Sequence, residues 1–342
     1  MKSNITVIDK TTFVRLDFTL WSGRAKLTRE DIPDADKLPP QELASLGSKR
    51  LFDPAKLRPF GALKARAHAL LERNGIKFCG GYAISADRAD GIRDQLADIW
   101  QEFDRVKVDF CNAYANGCKE WIAQHPDWAD ILRNAMPSPH EMPNRFHFSY
   151  QMFQVQPTNV LGGGGNDSHT TILDMGDKAL SEICVMAKTI YEETFKDKHE
   201  LKAKSFQPIE RLIAKIRAVS FTHPQIEALG GMLDSALTMV AQAHYSTAAV
   251  NTFKGVLIAL TSTTAISTML HTVCTDTNNP DEMSSKLFEV LWLEPEPVPG
   301  NRAVTLDGPV TTIEVNPIAE LASAEPQLTP GFDLLGMYGE MF

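Results

Sequence analysis

The chain has 342 residues, of which 43% are hydrophobic and 23% charged, and its formal net charge is −9 at pH 7. These values are typical of a soluble globular protein with enough residues for one large domain or two ordinary ones. The acidic balance argues against extensive nucleic-acid binding and against attachment to an anionic membrane, because both require clustered lysine and arginine side chains. It leaves room for a local basic patch.

The cysteine pattern and the first residues of the chain predict a cytoplasmic protein. An odd number of scattered cysteines without a CxxC pair favours reduced thiols. They are Cys79, Cys111, Cys118, Cys184 and Cys274. Residues 1–13 lack the apolar core of a signal peptide. The most apolar helical run, residues 256–270, is shorter than the about 20 residues of a membrane span, so we expect a core helix and no membrane association.

The N-terminal segment, residues 1–84, predicts a strand followed by a helix. Within residues 5–21, apolar side chains alternate with polar ones, which indicates a half-buried strand. The alternating residues are Val14, Leu16, Phe18 and Leu20. A charged connector follows, and residues 59–74 then have a helical pattern that ends at Gly75.

Two long helices are predicted between residues 85 and 200. The first, over residues 86–123, would be about 57 Å long and end at His125–Pro126. Its apolar residues recur at alternating steps of three and four, which predicts packing on a partner helix at a shallow angle. These residues are Ile92, Leu96, Ile99, Phe103, Val106, Phe110 and Ala113, with Trp100, Tyr114, Cys118 and Trp121 on the same stripe. The second helix carries Leu173, Leu180, Ile183, Ala187, Ile190 and Thr194.

The connector between the two helices, residues 126–166, contains a predicted strand. It is proline-rich at first and then reads RFHFSYQMFQVQP at residues 145–157, with apolar residues at alternate positions. We expect this strand to pair with the N-terminal one. Two long helices joined through such a connector predict an antiparallel helical hairpin with a small β element.

The remainder of the chain predicts a helical bundle over residues 201–293 and an extended tail over residues 294–342. One helix is expected after FQP, another after THP, and a last core helix over residues 247–274. The predicted fold class is therefore mainly α, with a long antiparallel helical hairpin or bundle, a small β element and an extended C-terminal tail.

The polyglycine segment VLGGGGNDSHTT, residues 160–171, resembles a phosphate-binding loop only superficially. A P-loop needs GxxxxGK[ST] after a buried strand, whereas here Pro157 interrupts the preceding stretch and the next lysine is Lys178. A Rossmann unit is also missing. We predict a hinge, because adjacent glycines accept any φ. Its residues are Gly162, Gly163, Gly164 and Gly165. The alternative is an anion site at the following helix N-terminus.

No residues are assigned to catalysis, to a cofactor or to a metal. His271 with Cys274 has a zinc-compatible spacing but lacks a second pair of ligands. A second loose group consists of His140, Glu141 and His147. No GxSxG or cysteine-nucleophile signature occurs. We therefore expect a protein that is not an enzyme; the alternative is a nucleic-acid-processing or hydrolytic enzyme whose site, metal-dependent or not, is assembled from distant residues.

The end of the tail, GFDLLGMYGEMF, is unusually apolar. Its candidate interaction residues are Phe332, Leu334, Leu335, Met337, Tyr338 and Phe342. A segment with such anchors docks on its own core or in a partner's groove, and the sequence leaves both open. A third interpretation, a helical protein that inserts into membranes, is disfavoured by the short, threonine-rich apolar run.

Four stretches together resemble a bacterial family known as domain of unknown function 3150. They are WSGRAKLTREDI at 21–32, LASLGSKRLFDPAKLRPF at 43–60, GIKFCGGYAIS at 75–85 and KEWIAQHPDW at 119–128. The resemblance covers most of residues 10–290. It implies a protein of plasmids, phage-like islands and other mobile elements, encoded beside a MoxR-like AAA+ ATPase and a protein with a von Willebrand factor A domain. It brings no catalytic residues.

These observations predict a cytoplasmic scaffold or adaptor. It would self-associate, dock onto an AAA+ ATPase assembly, or do both, using the apolar stripes of its helices and the tail. No cofactor is expected.

Overall fold

A computed structural model of the chain describes residues 9–32, 45–154, 168–198, 201–273 and 279–292, together with residues 7 and 277. These residues form nine α-helices and six β-strands. The strands are β1 (Thr11–Thr19), β2 (Arg24–Lys26), β3 (Ser48–Arg50), β4 (Gly75–Phe78), β5 (Gly81–Ser85) and β6 (His147–Phe153). The helices are α1 (Arg58–Asn74), α2 (Ala89–Ala123), α3 (Ala129–Ala135), α4 (Ser168–Ile190), α5 (Gln207–Val219), α6 (Pro224–Gln242), α7 (Thr247–Ala259), α8 (Thr263–Val273) and α9 (Pro280–Trp292). The fold is mainly helical with a small antiparallel β element, as predicted.

Four strands form one antiparallel sheet in the order β4-β5-β1-β6. The pairing of the N-terminal strand with the 145–157 strand is confirmed, with Leu16 opposite Tyr150. The β4–β5 hairpin was not predicted. Its two-residue turn consists of Cys79 and Gly80, whose φ angles of 47° and 73° fit the left-handed geometry that two-residue hairpins favour.

The strands β2 and β3 pair separately as a short two-stranded sheet. Arg24 lies opposite Arg50, Ala25 opposite Lys49, and Lys26 opposite Ser48. The chain between them passes through residues 33–44, which lie outside the described residues. We call β2 and β3 together the basic ribbon.

The larger sheet separates two hydrophobic cores because successive residues of a strand project to opposite faces. Val14 and Ile84 belong to the N-terminal core, which we define as the buried cluster drawn from residues 14–152. Phe13 and Ala83, their neighbours in sequence, belong to the C-terminal core. Ile76 and Phe78 of β4 also belong to the C-terminal core, which draws its other buried residues from α4 and the elements that follow it.

The predicted hairpin of the two long helices is not confirmed. The stripe on α2 is buried at Ile92, Leu96, Ile99, Phe103 and Phe110, but it packs in the N-terminal core with α1 and β6. The corresponding stripe on α4, including Ile183 and Ala187, is buried in the C-terminal core. Each helix therefore finds its partner on its own side of the sheet. Trp100, predicted to widen the stripe of α2, is 45% exposed.

The single core helix predicted over residues 247–274 is wrong, because two helices, α7 and α8, occupy this region and meet at 97°. Ser262 begins the second helix by accepting a hydrogen bond from the backbone N–H of Ala265 at 3.3 Å, as an N-cap does. None of the described helices alone is long and apolar enough for a membrane span; only the bent pair α7–α8 meets that criterion together. The sequence analysis did not identify α9.

Lys215 on α5 is a buried lysine that joins the two sides of the molecule. Its ammonium group, on a side chain only 6% exposed, donates to the carbonyl oxygens of Glu72 at 2.6 Å and Gly75 at 2.5 Å. It also lies 2.8 Å from the carboxylate of Glu182 on α4. The carbonyl oxygens at the end of a helix have no partner within that helix. Lys215 therefore satisfies groups where α1 ends and β4 begins.

The side chain of Glu72, whose backbone carbonyl contacts Lys215, belongs to a polar network with residues of α1, β4 and β5. The Glu72 carboxylate lies 2.7 Å from Lys77 Nζ and accepts from the Tyr82 hydroxyl at 3.5 Å. The hydrogen bond from Lys77 lowers the pKa of Glu72. The Tyr82 hydroxyl also lies 2.9 Å from His68 Nδ1, and burial raises the pKa of Tyr82 and lowers that of His68. The network holds β4 and β5 to α1.

We expect Lys215→Met to lower the free energy of unfolding by about 2–5 kcal/mol, because it removes the ammonium donor from the carbonyl oxygens of Glu72 and Gly75 and the cation from Glu182. Urea-induced unfolding at pH 7 measures this difference. The matched control is Lys188→Met, at an exposed position of α4, where we expect a change within about 0.5 kcal/mol. Equal stability of Lys215→Met and the unaltered protein would show that these contacts contribute nothing net.

Candidate functional site

The structure does not gather the residues that the sequence singled out. Gly162–Gly165 and the tail residues lie outside the described residues, as does Cys274. His147 is exposed on β6, with Nε2 3.1 Å from Ser149 Oγ, and Glu141 pairs with Arg145 at 3.4 Å. Within the described parts of the chain, no three His, Cys, Asp or Glu side chains form a group that could hold a metal ion.

A concave apolar surface lies instead between the basic ribbon, the end of α2 and the start of α3. Its volume is about 280 Å³. We call it the tryptophan pocket and define it by its lining residues, which are Leu27, Lys49, Arg50, Trp121, His125, Trp128, Ile131 and Leu132. They come from three of the four stretches that carry the family resemblance and from α3.

The end of α2 positions two aromatic residues of the pocket, Trp121 and His125. Trp121 lies in the last turn of this helix, and its indole Nε1 donates to the carbonyl oxygen of Arg50 at 3.4 Å. His125 follows the helix, with Nδ1 2.9 Å from the carbonyl oxygen of Trp121 and its ring 4.4 Å from the indole. Since a carbonyl accepts only, Nδ1 carries the hydrogen. The pair is thereby fixed against β3.

Trp128 also lines the pocket and is the more exposed of its two tryptophans. The sequence HisPro ends α2, and Pro126–Trp128 makes a single 3₁₀ turn that leads into α3. This turn leaves the Trp128 side chain 51% exposed, while Leu132 on α3, which also lines the pocket, is buried. A large aromatic side chain with half its surface in water, beside a buried apolar floor, is typical of a protein-binding surface.

Lys49 contributes its aliphatic stem to the pocket while its charge is neutralised. Its ammonium group lies 2.5 Å from Asp31 Oδ1, and the second oxygen of Asp31 accepts from the backbone N–H and hydroxyl of Thr28 at 2.7 and 2.8 Å. The hydrogen bond from Lys49, with those from Thr28, lowers the pKa of Asp31 to about 2. The carboxylate therefore stays ionised and holds β3 against the loop after β2.

The size and lining of the pocket favour a protein side chain as its occupant. Small-molecule sites usually have volumes of about 300–1,000 Å³. The pocket, at about 280 Å³, is slightly smaller. The lining is largely apolar, with two indole rings. Such a pocket can enclose one or two apolar side chains, and tryptophan and arginine are the residues most often found at the energetic centre of interfaces.

A larger groove of about 520 Å³ lies between α6 and α9 and is more open. Four of its polar side chains, those of Asp234, Ser235, Thr238 and Ser285, are already engaged within the fold. Asp234 pairs with Arg217 at 2.5 Å, and Ser235 and Ser285 donate to carbonyl oxygens of their own helices. The apolar contribution comes mainly from Met239 and Phe288. This groove therefore offers less for recognition than the tryptophan pocket.

The sequence analysis missed the tryptophan pocket. Trp121 was assigned to the apolar stripe of the helix and His125 to a helix-ending turn, and both assignments are locally correct. The sequence feature that could have indicated it is the run from Trp121 to Trp128, in which Trp121 and His125 precede Pro126 and Trp128 follows it. Only the contact with Lys49 and Arg50, about 70 residues earlier in the chain, makes it a pocket.

We expect Asp31→Asn to lower the free energy of unfolding at pH 7 by up to about 2 kcal/mol, since one pKa unit corresponds to about 1.4 kcal/mol. Because folding lowers the pKa of Asp31 from 3.8 to about 2, its stabilisation is complete above the unfolded pKa and disappears as the pH falls through the folded one. Urea unfolding between pH 7 and pH 2 should show the two proteins converging below about pH 4. Glu30→Gln, at an exposed neighbouring position, is the control; a pH-independent difference for Asp31→Asn would contradict the prediction.

Comparison with known proteins agrees with the resemblance noted in the sequence. A family model described as "Protein of unknown function (DUF3150)" matches residues 8–262, about three quarters of the chain. This range includes the whole basic ribbon and all residues of the tryptophan pocket. Searches of curated proteins and of solved structures found no match. The chain belongs to the DUF3150 family.

Proposed function

We propose that this protein is a non-enzymatic adaptor that binds another protein through the tryptophan pocket. The observation that carries the proposal is the half-exposed Trp128 beside Trp121 in a concave apolar surface. Burying an exposed indole on association is among the most favourable contributions that a single residue makes to an interface. The Trp121–Arg50 hydrogen bond and the Lys49–Asp31 ion pair hold lining residues of the pocket in place.

The partners that we propose are a co-encoded MoxR-like AAA+ ATPase and a protein with a von Willebrand factor A domain. The resemblance of the sequence to its family suggests both. We propose a cytoplasmic location for this adaptor, as the scattered cysteines and the first residues of the chain predict. Self-association is a further part of the proposal, because a surface that binds a partner segment can also receive one from a second copy.

We expect the full chain to bind at least one of the two co-encoded proteins, and Trp128→Ala to weaken that binding more than about tenfold. Biolayer interferometry with each purified protein measures the affinity. Because Trp128 is 51% exposed, its removal costs the fold little, and thermal unfolding should be nearly unchanged.

The matched control is Trp100→Ala, which removes an indole that is 45% exposed on α2 and does not line the pocket. We expect its affinity to equal that of the unaltered protein. Sedimentation equilibrium of the same three proteins reports self-association. Equal effects of the two substitutions would remove the pocket from the proposal, and the absence of binding to either co-encoded protein would remove these partners.

A further inference from the structure

The strand β6 forms one edge of the four-stranded sheet. It pairs with β1 on one side and is the last strand in the order β4-β5-β1-β6. In the parts of the chain that the structure describes, no backbone hydrogen bond joins β6 to any element other than β1. Such an edge keeps a row of backbone N–H and C=O groups with which another strand can pair.

The direction of these backbone groups follows from the register of the sheet. Successive residues of an antiparallel strand direct their N–H and C=O groups alternately to the neighbours on its two sides. The N–H of Ala86 donates to the carbonyl oxygen of Lys10 at 2.7 Å, directly beyond the pair of Thr11 with Ser85. Lys10 and every second residue after it therefore face β5, and the residues between them on β1 face β6.

The same alternation continues from β1 into β6. The β1 residues that face β6 run from Phe13, opposite Phe153, to Thr19, opposite His147. The odd-numbered residues of β6 therefore direct their backbone groups back to β1. The even-numbered residues direct theirs away from the sheet, to its open edge. These residues are Phe148, Tyr150 and Met152.

The opposite edge of the sheet, β4, has protection that β6 lacks. It has only four residues, one of which is Lys77, and α4 and α5 contact it. The carbonyl oxygen of Gly75 on this strand already accepts from Lys215 at 2.5 Å. Short strands, edge lysines and covering helices are the usual means by which proteins prevent pairing at an edge. The seven residues of β6 include no lysine, arginine, aspartate, glutamate or proline.

The sequence of β6 matches a second copy of itself. In a two-fold antiparallel arrangement centred on Tyr150, the two copies of Tyr150 lie opposite each other and Phe148 lies opposite Met152 of the second copy. Each of these pairs joins residues whose backbone groups point outward, so both of its N–H···O bonds can form. Because β6 contains none of the four formally charged residue types, the arrangement brings no like charges opposite each other.

The same register brings aromatic side chains opposite each other. Phe148, Tyr150 and Met152 lie on the side of the N-terminal core, and there the two copies of Tyr150 meet. On the other side, Phe153 is 46% exposed and stacks on Phe13, with ring centroids 5.9 Å apart. The two-fold arrangement places Phe153 opposite His147 of the second copy. Cross-strand pairs that include aromatic rings stabilise antiparallel sheets.

We propose that two copies of this protein pair through the open edges of β6, antiparallel about Tyr150, so that their four-stranded sheets become one continuous sheet. This inference names the surface for the self-association that the proposed function includes, and it rests on that part of the proposal alone. Partner binding through the tryptophan pocket is independent of it, because no residue of β6 lines that pocket.

Sedimentation equilibrium of the full chain, from about 1 µM to about 0.5 mM, measures the association, and we expect a dimer. In the two-fold register, residue 149 of one copy lies opposite residue 151 of the other. Ser149→Lys with Gln151→Lys should therefore raise the dissociation constant of the dimer more than about tenfold, since lysines then face lysines.

The matched control, Ser149→Lys with Gln151→Glu, changes the same two positions but brings opposite charges together across the interface. We expect it to dimerise at least as well as the unaltered protein. Within its own chain each new charge lies opposite one of the other sign, because Ser149 pairs with Asp17 and Gln151 with Arg15. Thermal unfolding of both double variants shows whether each is folded.

Amide exchange of the unaltered protein tests the interface without any substitution. By NMR, the amides of Phe148, Tyr150 and Met152 should exchange more than about tenfold more slowly at about 0.5 mM than at about 20 µM, because the dimer gives them acceptors. The amides of Ser149 and Gln151, which face β1, should be equally protected at both concentrations.

The outcomes separate this inference from the adaptor proposal. Dimerisation without binding of either co-encoded protein would support the inference and remove those partners. A protein that stays monomeric over the whole range, or equal dissociation constants for the two double variants, would overturn it. So would a dimer that Trp128→Ala abolishes and the two lysines do not, since the tryptophan pocket would then be the interface. Protection of the three outward amides only after a co-encoded protein is added would assign the edge to that protein instead of a second copy.

Discussion

The Lys215 ammonium group is the point on which both cores depend. It is buried, and it donates to two carbonyl oxygens at the junction of α1 and β4 while pairing with Glu182 on α4. A buried charge is tolerated only when its hydrogen bonds are complete, so the relative positions of these three elements are strongly restricted. Because α1 belongs to the N-terminal core and α4 to the C-terminal core, this one side chain couples the packing of both.

The four-stranded sheet lies between the two cores that Lys215 couples. Alternate residues of β1 and β5 face opposite cores, so α1 and α2 pack on one side while α4 and α5 pack on the other. With its stripe buried against α1 and β6, α2 extends to Ala123 and its last turn meets the basic ribbon. The tryptophan pocket is therefore a consequence of the length of α2 and of the side of the sheet on which it packs.

The surface at this end of α2 combines features that rarely serve the fold alone. The ribbon places two arginines opposite each other, and the turn after α2 leaves an indole half in water. Natural proteins usually avoid both, because each costs stability unless another contact compensates it. The half-exposed Trp128 in a pocket that the Asp31–Lys49 pair and the Trp121–Arg50 hydrogen bond support is what directs the functional proposal to this place rather than to the more open groove between α6 and α9.

The sequence by itself determined the class of the fold and much of its local structure. The stripe of Ile92, Leu96 and Ile99 and the alternation around Val14 were predictable, because periodicity reports which side of an element is buried; the pairing of β1 with β6 was expected as well. It does not report which element covers that side. Only the tertiary structure decided that α2 and α4 lie in different cores, that residues 247–274 bend at Ser262, and that Trp121 and Trp128 meet a basic ribbon from a distant part of the chain. Contacts between distant parts of the chain, such as those of Lys215 with the carbonyl oxygens of Glu72 and Gly75 more than a hundred residues earlier, leave no periodic signal in the sequence.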